Sequence, residues 1–149
     1  MENLNKIKQA ESKFLDEYAC SQAIVSTYCD QFGLDIKTAL NLSAGFAGGM
    51  RGGKTCGVIT GAIIILGLAL SGQNSAKPDD RKDVYAGVSE FTKQFKEKYG
   101  STECKDLLTV DISTAEGKQE ANEKKLFYTI CPKFVRTSAE ILESLIKLG

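Results

Sequence analysis

Histidine is missing altogether from the 149 residues. Its absence excludes mixed cysteine/histidine zinc sites and histidine-ligated haem, and it leaves no imidazole to activate a cysteine nucleophile in the hydrolase manner. Net charge is missing too. Nineteen basic residues balance nineteen acidic ones and the pI is near 6.3, so charge directs the chain neither to nucleic acid nor to an anionic membrane surface. Exposed aromatics interleaved with basic residues, the pattern of single-strand binding platforms, are not evident. The apolar run Val58 to Leu70, interrupted by Gly61 and Gly67, spans about 13 residues, below the roughly 18 needed to cross a bilayer, and predicts a buried helix. Met1 to Ala10 is polar and charged, without the apolar stretch and cleavage site of a secretory leader. A cytoplasmic location is expected.

Sulfur is what the chain does have. Five cysteines, an odd number in a compartment that keeps thiols reduced, suit catalysis, redox sensing or metal binding better than a disulfide framework. Four of them, Cys20, Cys56, Cys104 and Cys131, fall where helices are expected to begin. Unpaired N–H groups and the positive end of the helix dipole favour a thiolate there. Cys29 sits instead inside an apolar stripe and reads as a packing residue.

Apolar residues recur at three- and four-residue spacing, and alternating strand-like runs are nearly absent, so the chain is expected to be all-α, a single domain over 1–149. About six or seven helices should surround the central helix Cys56–Leu70, which is apolar on every side. Leu4, Ile7, Phe14, Leu15 and Tyr18 form a first stripe, and a second helix ends at Gly33. Asp35 caps a short helix, and Asp79 or Asp80 caps a long one that Gly100 closes. Ser101 looks like the cap of a helix carrying Cys104. Cys131 precedes Pro132, a favoured first helical residue, and is expected to cap a last helix whose buried stripe runs from Phe134 through Leu145 to Leu148. The charged stretch Glu116 to Lys125 reads as a solvated face.

Gly48 to Thr55 fits the Gly-x-x-x-x-Gly-Lys-Thr pattern of a phosphate-binding loop. The context argues against nucleotide hydrolysis, because the preceding segment is helical in pattern and no later strand supplies an aspartate for magnesium. A weaker role is retained, an anion contact through Gly53, Lys54 and Thr55. The same loop makes Cys56 the expected attacking thiol, with its N–H groups and Arg51 or Lys54 favouring the thiolate.

Cys56-Gly57-Val58-Ile59-Thr60-Gly61, taken with Cys20, Cys104, Cys131 and the glycine loop before Cys56, resembles a family of redox-active bacterial proteins defined by four cysteines and a Cys-Gly-Ala-x-x-Gly motif. The likeness also runs through Cys20-Ser21-Gln22-Ala23, Gly45-Phe46-Ala47-Gly48-Gly49 and Cys131-Pro132-Lys133-Phe134-Val135-Arg136. Val58 stands where the motif has alanine, and Cys29 lies outside the pattern. The resemblance implies an all-helical fold whose four cysteines converge on one redox site. It also implies an alternative occupant, an iron–sulfur centre, as in a related domain of a multi-domain cytochrome.

Three readings follow. Cys20, Cys56, Cys104 and Cys131 exchange disulfides with an unidentified redox partner, or the same four thiolates bind a metal or iron–sulfur cluster, or they are inert in a structural domain. No Cys-x-x-Cys knuckle supports the second from spacing alone.

Overall fold

The computed structural model describes the backbone of residues 2–146 and the side chains of residues 6–146; Leu4 and Leu148 of the expected stripes lie outside the described side chains. Among the described residues nine α-helices follow in order: α1 Glu2–Leu15, α2 Cys20–Tyr28, α3 Ile36–Ser43, α4 Gly57–Leu70, α5 Lys82–Tyr99, α6 Cys104–Leu108, α7 Ala115–Glu123, α8 Leu126–Thr129 and α9 Cys131–Leu145. The fold is all-α. Among the described residues the β contribution is one isolated antiparallel bridge, Thr55 to Glu103.

Helix α4 packs against α2, α5 and α9, as a helix without a polar face must. Its first two turns lie closest to α2. A Cβ on Gly61 would stand 3.0 Å from the Ser21 carbonyl oxygen and 3.2 Å from the Ile24 Cβ, so glycine there sets the approach of the two helices. Helix α9 turns Val135, Ala139 and Leu142 inward, and the Ser138 hydroxyl donates to the Val58 carbonyl at 2.7 Å, tying α9 to the start of α4. Phe95, Tyr99 and Phe134 join α5 to α9, with Tyr99 edge-on to Phe134 at 4.9 Å between centroids.

Several expected caps are in place. The Asp35 carboxylate accepts from the Thr38 N–H at 3.0 Å, and Gly33 and Gly100 are left-handed at the ends of their segments. Others are displaced. Helix α5 begins at Lys82 without a side-chain cap, because Asp79 and Asp80 belong to a preceding 3₁₀ turn and the Asp80 carboxylate accepts from the Asn74 N–H at 2.9 Å. Glu103 rather than Ser101 is the cap residue of α6, and Ile130 rather than Cys131 that of α9. The charged stretch after Thr114 forms α7, and α8 leads from it directly into α9. Among the described residues no helix is long and apolar enough to cross a membrane.

Candidate functional site

The four cysteines come from three separate helix starts and one cap, spread over more than a hundred residues, and all four line one cavity of about 220 Å³. Two loop strands bring α4 and α6 into register. The Cys56 N–H donates to the Thr102 carbonyl at 2.9 Å, and the Cys104 N–H donates to the Lys54 carbonyl at 2.6 Å, on either side of the Thr55–Glu103 bridge. Pairing of residues 54–56 with 102–104 is a long-range event with no local signature in sequence. Phe14, Val58, Leu108, Phe127 and Phe134 supply apolar wall, Arg51 and Lys118 its charge.

Cys20 has the most distinctive surroundings. Its sulfur lies over the Cα of Gly57, where the Cβ of any other residue would overlap it. Three backbone amides favour its thiolate: Gly48 in the loop before α4, Ser21 in its own helix, and Gly57 at the first position of α4. The Cys56 thiol donates to it as well. That hydrogen bond is the largest cause, and the three amides add to it; together they outweigh burial and bring the Cys20 thiol down to about 7. Cys56 moves the other way, well above the ordinary thiol value, because it donates to Cys20, is buried and faces the Cys20 charge.

Burial dominates for the remaining two. Cys104 is pushed up to about 11 and Cys131 to about 12, in each case first by desolvation and then by the charge on Cys20. A helix start is therefore not sufficient to activate a thiol here. Helix α6 has only five residues and so little dipole, while α9 follows α8 almost without interruption. Pro132 brings no N–H to the first turn of α9, and the Lys133 N–H is taken by the Ile130 carbonyl at 3.0 Å. The expectation that Cys56 carries the lowered pKa is reversed for the same kind of reason. Of the amides expected at Cys56, that of Val58 in α4 favours its thiolate, while those of Gly48 and Gly57 favour Cys20.

Residues Gly48 to Arg51 all have positive φ, between 58° and 66°, and make a left-handed turn closed by the Lys54 N–H on the Gly49 carbonyl at 3.0 Å. For Met50 and Arg51 this conformation costs about 1–2 kcal/mol each. The turn follows helix α3 and a 3₁₀ turn, not a strand, so the phosphate-loop context is absent as expected. Gly53, Lys54 and Thr55, the residues expected to contact an anion, have these partners within the protein. The Thr55 hydroxyl donates to Glu103 at 3.2 Å, Gly53 is packed against the Asp111 carboxylate, and the Lys54 carbonyl serves the Cys104 amide. Two carboxylates in that neighbourhood oppose an anion. The loop's contact with negative charge is at Gly48, and its partner is the protein's own sulfur.

A metal was the alternative use of Cys20, Cys56, Cys104 and Cys131. Among the described residues no group of three cysteine, aspartate or glutamate side chains is placed to hold one metal ion. The four sulfurs share one cavity. Cys29 lies in the core, fully buried, with its sulfur near the Ser26 carbonyl at 3.7 Å and away from the cavity.

Residues 18–145 match the sequence profile of a family described as "Putative redox-active protein (C_GCAxxG_C_C)". The chain belongs to this family. No curated protein and no solved structure matches the chain. The C_GCAxxG_C_C match embraces all four cavity cysteines and both glycines of the Cys56–Gly61 motif, and the geometry gives each glycine a reason: Gly57 makes room for the Cys20 sulfur and Gly61 for the backbone of α2. Sequence reasoning offered the Gly48 loop amides to Cys56 rather than Cys20, and passed over Lys118 as a wall residue and the apolar lining from Phe14 and Phe127. Gly48 had a signal, since a glycine loop beside a motif cysteine offers free amides; Lys118 had none, being one of several charges on an otherwise solvated helix.

Proposed function

We propose that this chain is a single-domain thiol–disulfide exchange protein in which Cys20 attacks and Cys56 resolves. The observation that carries the reading is the place of the Cys20 sulfur, in the cavity lined by all four cysteines and resting against Gly57 at the start of α4, one residue after Cys56. A thiolate with a pKa near ambient pH is the best compromise between ionised fraction and intrinsic nucleophilicity. In the first step the Cys20 thiolate attacks one sulfur of a disulfide R–S–S–R. The Cys20–S bond forms, the S–S bond of the substrate breaks, and R–S⁻ leaves, taking a proton from solvent or from Cys56. In the second step the Cys56 sulfur, deprotonated to the leaving thiolate, attacks the Cys20 sulfur, forms the Cys20–Cys56 disulfide and expels the second R–S⁻. The dithiol gives two electrons and the substrate disulfide accepts them.

Trapping separates the two roles. Treated with a small aromatic disulfide, the reduced wild-type chain should release two thiols per molecule and keep no adduct, whereas Cys56→Ser should release one and hold the other arm on Cys20. An adduct on Cys104 or Cys131 instead, or none at all, would overturn the assignment. Anaerobic purification followed by metal and sulfide analysis addresses the cluster reading, and stoichiometric iron with labile sulfide would replace this proposal.

A further inference from the structure

The walls and rim of the cavity restrict what can reach Cys20. Cys56 retains only 7% of its surface and Cys20 is half-buried, so the pair favours a disulfide able to enter the cavity over one fixed in the backbone of another protein. The volume, about 220 Å³, lies below the roughly 300–1,000 Å³ of sites for drug-sized ligands. It suits a small molecule or one arm of one. Apart from the sulfurs the lining is largely aliphatic and aromatic, so a polar peptide-like arm would lose its hydration without finding partners.

The charge on the lining has one sign. Arg51 and Lys118 are its charged members, both exposed and, among the described residues, neither in an ion pair. They come from different elements, Arg51 from the left-handed turn and Lys118 from α7. Asp111 and Glu103, the carboxylates nearest Cys104, are not part of the lining. An arm seated against Phe14, Phe127 and Phe134 and bearing a negative group would leave that group near the two cations.

Resting on the exchange reading above, we propose that the substrate of this site is a small disulfide with an apolar arm ending in an anionic group such as a carboxylate, with Arg51 and Lys118 as the residues that select its charge. The chemistry is that of the two steps already given, with the acid group remote from the sulfurs and unchanged by the reaction.

The test uses the full reduced chain and a matched pair of probes, 4,4′-dithiodibenzoate and its neutral diamide, with cystamine and glutathione disulfide as cationic and polar comparisons. Each rate is divided by that of free 2-mercaptoethanol thiolate with the same probe. The dibenzoate should react roughly five- to tenfold faster than the diamide, and both faster than cystamine or glutathione disulfide. Arg51→Asn, chosen because asparagine tolerates positive φ, and Lys118→Glu should each reduce the dibenzoate preference, and together should reverse it. Equal normalised rates for the two matched probes, or a preference that survives both substitutions, would overturn the substrate assignment while leaving exchange intact. Reaction of every probe no faster than the free thiolate would overturn exchange itself.

Discussion

Cys20 and Cys131 are each the first residue of a helix, of nine and fifteen residues, each is half-buried, and both face the same cavity. One thiol is nonetheless held at about 7 and the other pushed up to about 12. The longer helix, with the larger nominal dipole, has the less acidic thiol. What separates them is the number of free donors within reach. Cys20 is favoured first by the Cys56 thiol and then by amides of the turn at Gly48, of α2 and of α4, because Gly57 lets its sulfur rest on the start of α4. Cys131 has a proline next to it and a neighbouring amide already spent on Ile130. Acidity in this cavity is thus a property of tertiary packing, with the helix start as one contributor among several.

The contrast breaks most completely if the Cys20 sulfur is removed. Cys20→Ser should lower disulfide exchange by roughly a hundredfold or more, since a hydroxyl at the same point stays un-ionised. Cys29→Ala, at the buried C-cap of the same helix, should leave exchange in place and cost about 1 kcal/mol of stability in denaturant titration. Similar losses of exchange in both variants would show that Cys20 acts only through the fold.

A smaller perturbation tests the seat of the sulfur. Gly57→Ala should destabilise by about 1–3 kcal/mol through overlap with Cys20 and should raise the Cys20 pKa as the sulfur leaves the α4 amide. Gly67 on the same helix has nothing within 4 Å of a Cβ, so Gly67→Ala should stabilise by about 0.5–1 kcal/mol through helix propensity alone. Thermal melts of the two variants should therefore shift in opposite directions; a shared direction would contradict the packing described for α4.

The pH dependence of stability tests the same contrast without any substitution. Cys20 binds fewer protons folded than unfolded between its lowered value of about 7 and the ordinary 9.0, so its contribution to stability rises with pH across that window. Cys56, Cys104 and Cys131, all raised, bind more protons folded than unfolded above about 9, so their contribution falls there. Urea midpoints measured from pH 6 to 10 should show the rise, and Cys20→Ala should remove it.

Much of the fold was legible in sequence. The all-α class, the buried helix ending at Leu70 and the caps at Asp35, Gly33 and Gly100 follow from periodicity and local backbone chemistry. Caps were misplaced where a side chain had a competing long-range or loop partner, as Asp80 has in the Asn74 amide. The four motif cysteines stood out at their helix starts, and the family resemblance suggested their convergence. Their division into one lowered thiol, Cys20, and three raised ones was not legible, because it depends on the meeting of Gly48, Gly57 and Cys20 across the fold and on the Thr55–Glu103 bridge. Periodicity reports which face of a helix is buried, not which neighbour's N–H will point at it.

The most direct measurement is the titration of the Cys20 thiol in the reduced chain, followed by NMR of cysteine labelled with ¹³C at Cβ. A midpoint near pH 7 for Cys20, with Cys104 and Cys131 unchanged until far more alkaline pH, is the result expected from the convergent amides. An ordinary midpoint near 9 for Cys20, or an acidic one at Cys56, would contradict it.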